Sequence, residues 1–170
     1  MGPAHLAAGL AAKRFIPKVL LIFLLIASET LDLLNYFFIW LGIKDPGTSQ
    51  FSFAHGLNVI QSGSIAWSHS LFMAIIWSLV FASISFLIFR DRSVSMIFGL
   101  VVFSHWALDF IVHAPELPLL FEKLPKVSLG LWTTSPGYFT SILLEIILVI
   151  GGLIIYFQRK RHLRIRENPS

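Results

Sequence analysis

The sequence predicts an all-α protein, a polytopic membrane helical bundle of about four transmembrane helices with its N and C termini in the cytoplasm. Three observations predict it. Hydrophobic residues make up 56% of the 170 positions and charged residues only 13%, against roughly 45–50% and 25% in soluble domains. That much apolar surface exceeds what a chain this short can bury, so much of it must face lipid. Four apolar runs each reach the roughly 17–25 residues a spanning helix needs. The basic residues then divide unevenly between the two sides that alternating spans define.

The runs cover about 17–41, 68–89, 94–112 and 137–157, within a single transmembrane domain of residues 1–157 followed by a basic cytoplasmic tail, 158–170. Pro17 suits a first helical turn, and Gly42 follows Leu41 as a stop. Ser68 and Ser93 are expected N-caps, Ala114-Pro115 halts the third run, and Ser135-Pro136 opens the fourth. Ser78, Ser83 and Ser85 are small residues suited to close helix contacts. Val19–Ile26 with Ala27-Ser28 mimics a cleaved signal peptide, but the apolar run continues to Leu41, beyond an ordinary signal core.

Lys13, Arg14, Lys18, Arg90, Arg92, Arg159, Lys160, Arg161, Arg164 and Arg166 fall on one side, and only Lys44, Lys123 and Lys126 on the other. The positive-inside rule makes that first side cytoplasmic. The net charge of +4 is then an orientation signal, and nucleic acid is not an expected partner. Trp40, Trp67, Trp132 and Tyr138 mark the opposite boundary as an aromatic belt. There is no cysteine, which excludes disulfides and thiolate metal sites.

Against this apolar background, Glu29, Asp32, Asp109 and Glu145 lie inside the spans, with His105 and His113 on the third and His69 opening the second. Each ionisable group costs roughly 2.5–3.5 kcal/mol in a bilayer, so partners in the bundle interior are required. His105, Asp109 and His113 recur at i, i+4 and i+8 on one helix face, and Glu29 and Asp32 share a face of the first span. Counting about 1.5 Å per residue places Glu29, His105 and Glu145 near mid-bilayer. Asp32 and Asp109 fall one turn further out, giving a funnel that opens away from the cytoplasm. Imidazole and carboxylate ligands without thiolate suit a divalent metal ion, Zn²⁺, Mn²⁺ or Fe²⁺. The same residues also suit a structural hydrogen-bonding cluster. Glu145 is equally a ligand partner or a structural hydrogen-bonder, while His55 and His162 read as solvated. Trp77 reads as a packing or lipid-facing residue.

The pieces Gly2-Pro3-Ala4-His5-Leu6-Ala7-Ala8-Gly9, Ser28-Glu29-Thr30-Leu31-Asp32, Trp67-Ser68-His69-Ser70 and Ser104-His105-Trp106-Ala107-Leu108-Asp109 resemble, in order, the motifs of the YdjM-like family of bacterial inner-membrane proteins. The resemblance implies a membrane-bound metal-dependent hydrolase in the bacterial inner (cytoplasmic) membrane. It carries His5, Asp32, His69, His105 and Asp109 over as site residues. This chain spaces its acidic pair by three residues where the family spaces it by two. His5 reaches the site only if residues 2–12 form a short helix dipping into the bundle.

The expected function is hydrolysis of a lipid-linked or envelope substrate. His5, His69, His105, Asp109 and His113 are the candidate metal ligands, and Glu29 or Asp32 the general base. The alternatives are a proton or ion pathway or small transporter built on the same cluster, and a non-catalytic scaffold. Membrane lipids are the expected surroundings.

Overall fold

The computed structural model describes residues 2–43, 48–52, 56–60, 65–121 and 125–167, with side chains described outside 48–60 and 159–167. The chain is mostly helical: α1 (Gly2–Ala12), α2 (Leu21–Ser28), α3 (Thr30–Trp40), α4 (Ala66–His69), α5 (Leu71–Phe89), α6 (Arg92–Val112) and α7 (Ser135–Glu167). Two small antiparallel pairs interrupt the helices. Strands β1 (Thr48–Ser52) and β2 (Gly56–Ile60) pair with Thr48 opposite Ile60, and β3 (Leu117–Pro118) and β4 (Lys126–Val127) pair with Leu117 opposite Val127. A 3₁₀ turn at Leu131–Thr133 precedes α7.

Three helices, α5, α6 and α7 up to Gln158, are long and apolar enough to cross a membrane, and α2 with α3 makes a fourth if the bent pair is one span. Their outer faces carry exposed apolar side chains such as Leu79, Ile88, Leu143 and Ile147. The inner faces of α2, α5 and α6 meet in a core around Leu24, Ala27, Ala74, Phe98 and Val102.

Several expected boundaries are corrected. The run 17–41 is not one straight helix: it starts at Leu21, not Pro17, and bends by 64° at Glu29. The bend has a local cause. Ser28 Oγ donates to the Leu25 carbonyl (2.8 Å) and Thr30 Oγ1 to the Ile26 carbonyl (3.1 Å). Such hydroxyl back-bonding competes with the helical ladder and bends helices. The second run breaks after the short α4, and Ser70, not Ser68, caps α5 by accepting from Met73 N (3.1 Å). Asp91, not Ser93, caps α6, accepting from Ser93 N (2.8 Å) and Val94 N (3.3 Å). Its carboxylate also complements the helix dipole. Residues 158–167 continue α7 as helix. Ser78 and Ser85 are buried against neighbouring helices, whereas Ser83 is exposed. Trp77 donates to the Trp67 carbonyl (3.0 Å). His55, Lys44 and Lys123 lie outside the described residues, as does the His162 side chain.

The element that composition does not announce is α1. It is an Ala/Gly helix packed against α2, α6 and α7, with Ala4, His5, Ala7, Gly9 and Ala12 buried. Two glycines permit the approach. A Cβ at Gly9 would lie 2.7 Å from the Leu24 carbonyl oxygen, and one at Gly152 would lie 2.9 Å from that of Ala7. Glu145 anchors the start of α1 by accepting from Ala4 N (3.3 Å). Its carboxylate lies at a helix N-terminus, where negative charge is favoured.

Candidate metal centre

The bend at Glu29 builds the first part of the site. It releases the Ser28 carbonyl from the helical ladder, and His105 Nδ1 donates to it at 2.7 Å. That bond fixes the tautomer of His105 and leaves the Nε2 lone pair pointing into the bundle. Comparable bracing holds His69. Its Nδ1 lies 2.8 Å from Ser68 Oγ, whose hydroxyl reaches the Ile65 carbonyl (3.3 Å) and Asn35 Oδ1 (3.4 Å). Trp106 Nε1 donates to the His69 carbonyl (2.9 Å) and pins the α4 turn onto α6.

The free nitrogens face two carboxylates. His5 Nε2 is 3.3 Å from Asp109 Oδ1, His69 Nε2 is 3.5 Å and His105 Nε2 3.4 Å from Asp109 Oδ2. Asp32 Oδ1 is 3.3 Å from His69 Nε2 and 3.7 Å from His105 Nε2. His113 Nε2 is 3.6 Å from Asp109 Oδ1. His5, His105 and Asp109 are buried, and Asp32 is about one-third exposed.

These distances discriminate between occupants. A protonated imidazole bonded to a carboxylate closes to about 2.7–2.9 Å. Two ligands on one tetrahedral ion, each about 2.0–2.1 Å from it, stand about 3.4 Å apart. The observed spacings match ligand-to-ligand separations. Moreover, His5 Nε2, His5 Nδ1 and His105 Nε2 are buried without hydrogen-bond partners among the described residues. A lone pair aimed at a carboxylate oxygen is repulsive unless a cation lies between them. The donor chemistry therefore suits metal: the ligand atoms of His5, Asp32 and His105, and likewise those of His69, His105 and Asp109, lie within 4.8 Å of one another. Burial lowers the His5 imidazole to about 4, against the opposing pull of Asp109.

The structure thus brings together His5, Asp32, His69, His105 and Asp109 from four helices, α1, α3, α4 and α6, with Ser28 of α2 as a brace. His113 adjoins the same carboxylate from the C-cap of α6. Glu29 sits beside the cluster with Oε1 buried and unpartnered. Sequence reasoning missed Ser68, Asn35 and Trp132. Trp132 is not simply a belt residue: its ring packs on His113 at 4.6 Å between centroids, and Nε1 donates to Ser141 Oγ (3.0 Å).

A cavity of about 280 Å³ opens onto the cluster, lined by Asp32, His69, Asp109 and His113 with Asn35 and Trp132. No lysine or arginine is among its lining residues. No protein-family model, curated protein or solved structure matches the chain.

Proposed function

We propose that this chain is a membrane-bound metal-dependent hydrolase acting on a lipid-linked or envelope substrate. The observation that carries the reading is the convergence of three imidazoles and two carboxylates at metal-ligand spacing, of which Asp32, His69 and Asp109 line an open cavity. A buried cluster serving only to hold helices together would satisfy its polar atoms and leave no room beside them. A proton relay would join its members by shorter hydrogen bonds than the 3.3–3.7 Å found here.

His69, His105 and Asp109 would hold a divalent ion, with Asp32 completing the shell from the exposed side. Such an ion supplies a bound water of pKa near 7. Glu29 is the carboxylate left over: its buried, unpartnered Oε1 accepts a proton as general base. Ser28 and Ser68 keep two rings in their ligating tautomers. Asn35 and Trp132 face the substrate at the mouth. The resemblance to the YdjM-like family supports the same reading and suggests the bacterial inner membrane. The basic residues support cytoplasmic termini and a mouth on the outer side.

The test is hydrolysis of lipid-linked ester and phosphoester substrates by the protein in vesicles. Activity should disappear with a chelator and return with Zn²⁺, Mn²⁺ or Fe²⁺. Activity that persists after complete chelation, or that survives in Asp109→Asn, would overturn the mechanism.

A further inference from the structure

We propose that the cluster is built for two divalent ions bridged by the Asp109 carboxylate, the second held on the side of His5. This rests on the metal-centre reading above and extends it.

The rings of His5 and His105 are stacked, with centroids 3.6 Å apart and planes only 4° from parallel. A metal ion bound to an imidazole lies in the plane of the ring, on the axis of the nitrogen lone pair. Two parallel planes share no such position. One ion bonded to both nitrogens at about 2.0–2.1 Å would sit about 1.7 Å out of each plane, far off both lone-pair axes. Each ring therefore addresses its own ion. The separation that the stack imposes, about 3.5 Å, is the ion spacing typical of two-metal hydrolytic sites.

Asp109 divides its surroundings in the same way. Oδ2 faces His69 (3.5 Å) and His105 (3.4 Å), whereas Oδ1 faces His5 (3.3 Å) and His113 (3.6 Å). A carboxylate with two imidazoles at each oxygen is placed to bridge. Asp32 Oδ1 adds to the first position, at 3.3 Å from His69 and 3.7 Å from His105. Its carboxylate also lies within 4.8 Å of the ligand nitrogens of both His5 and His105. The unpartnered nitrogens of His5, a side chain only 1% exposed, are the independent sign that something is missing there.

The experiment uses full-length protein purified in detergent without chelators, loaded with Mn²⁺ and desalted. Elemental analysis should give two ions per chain, and low-temperature electron paramagnetic resonance should give the spectrum of an exchange-coupled pair. His5→Gln should retain one ion with an uncoupled six-line spectrum. One ion per wild-type chain overturns the second position and leaves the hydrolase reading standing; none overturns both. Two ions without coupling overturn the Asp109 bridge, and two ions in His5→Gln overturn the assignment to His5. The wild-type count and coupling decide the question even if that variant fails to fold.

Discussion

Gly151 and Gly152 are neighbours on α7 that should respond oppositely to the same change. At Gly151 an added Cβ meets nothing within 4 Å. Gly151→Ala should therefore gain about 0.5–1 kcal/mol from helix propensity, or be neutral. At Gly152 the added carbon lies 2.9 Å from Ala7 O, 3.0 Å from Ala7 Cα and 3.2 Å from Ala7 Cβ. Two of these atoms are main chain, so no side chain can turn aside. α1 must withdraw by roughly 0.5–1 Å to restore ordinary contact. Overpacking of this kind costs about 1–3 kcal/mol, which outweighs the propensity gain. His5 lies two residues from Ala7 and moves with it. A metal constellation tolerates only about 0.5 Å of displacement. Gly152→Ala should thus lower both thermal stability and bound metal. Thermal unfolding in detergent with parallel elemental analysis measures both. Identical behaviour of the two variants would refute the claim that close α1–α7 packing delivers His5.

Other outcomes follow from the same geometry. Asp109→Asn keeps the side-chain volume but removes the charge shared by four imidazoles, so metal content should collapse in a protein that still folds. Glu29→Gln should retain metal while turnover falls by about 10²–10⁴-fold, as a pre-steady-state assay in vesicles would show. Burial raises the Glu116 carboxyl, whose Oε2 is unpartnered among the described residues. A raised folded-state value contributes stability at pH below the ordinary carboxyl range and loses it as pH rises through the folded value. Glu116→Gln should therefore stabilise the protein at pH 7, by less than about 1 kcal/mol because the side chain is only partly buried, and have no effect at pH 4. Reporter fusions after Arg92 and Arg161 should read cytoplasmic and fusions within 44–50 external; a cytoplasmic signal from 44–50 would overturn the orientation.

What the sequence disclosed follows from periodicity. His105 and Asp109 are legible because i, i+4 spacing on a long helix fixes a common face, and α6 buries both, whereas His113, expected on the same helix, is its extended C-cap. The apolar runs likewise announce α5, α6 and α7. The bend at Glu29 was hidden because hydrophobicity is continuous across it. Its cause is a local contest between hydroxyls and the ladder that hydropathy does not register. His5 was even less legible. An Ala/Gly segment lacks the hydrophobicity of a span, and its insertion depends on long-range contacts with Gly152 and Glu145. Only the resemblance of its motif pointed to it. The pairing of Trp132 with His113 is a loop-to-helix contact beyond any local pattern.

Element-specific analysis of the folded wild-type protein, purified without chelators, tests the central claim most directly. At least one divalent transition-metal ion per chain is expected, and its loss in Asp109→Asn. Fewer than about 0.1 ions per folded chain, with none taken up on incubation with Zn²⁺, Mn²⁺ or Fe²⁺, would contradict the metal centre and the hydrolase reading together.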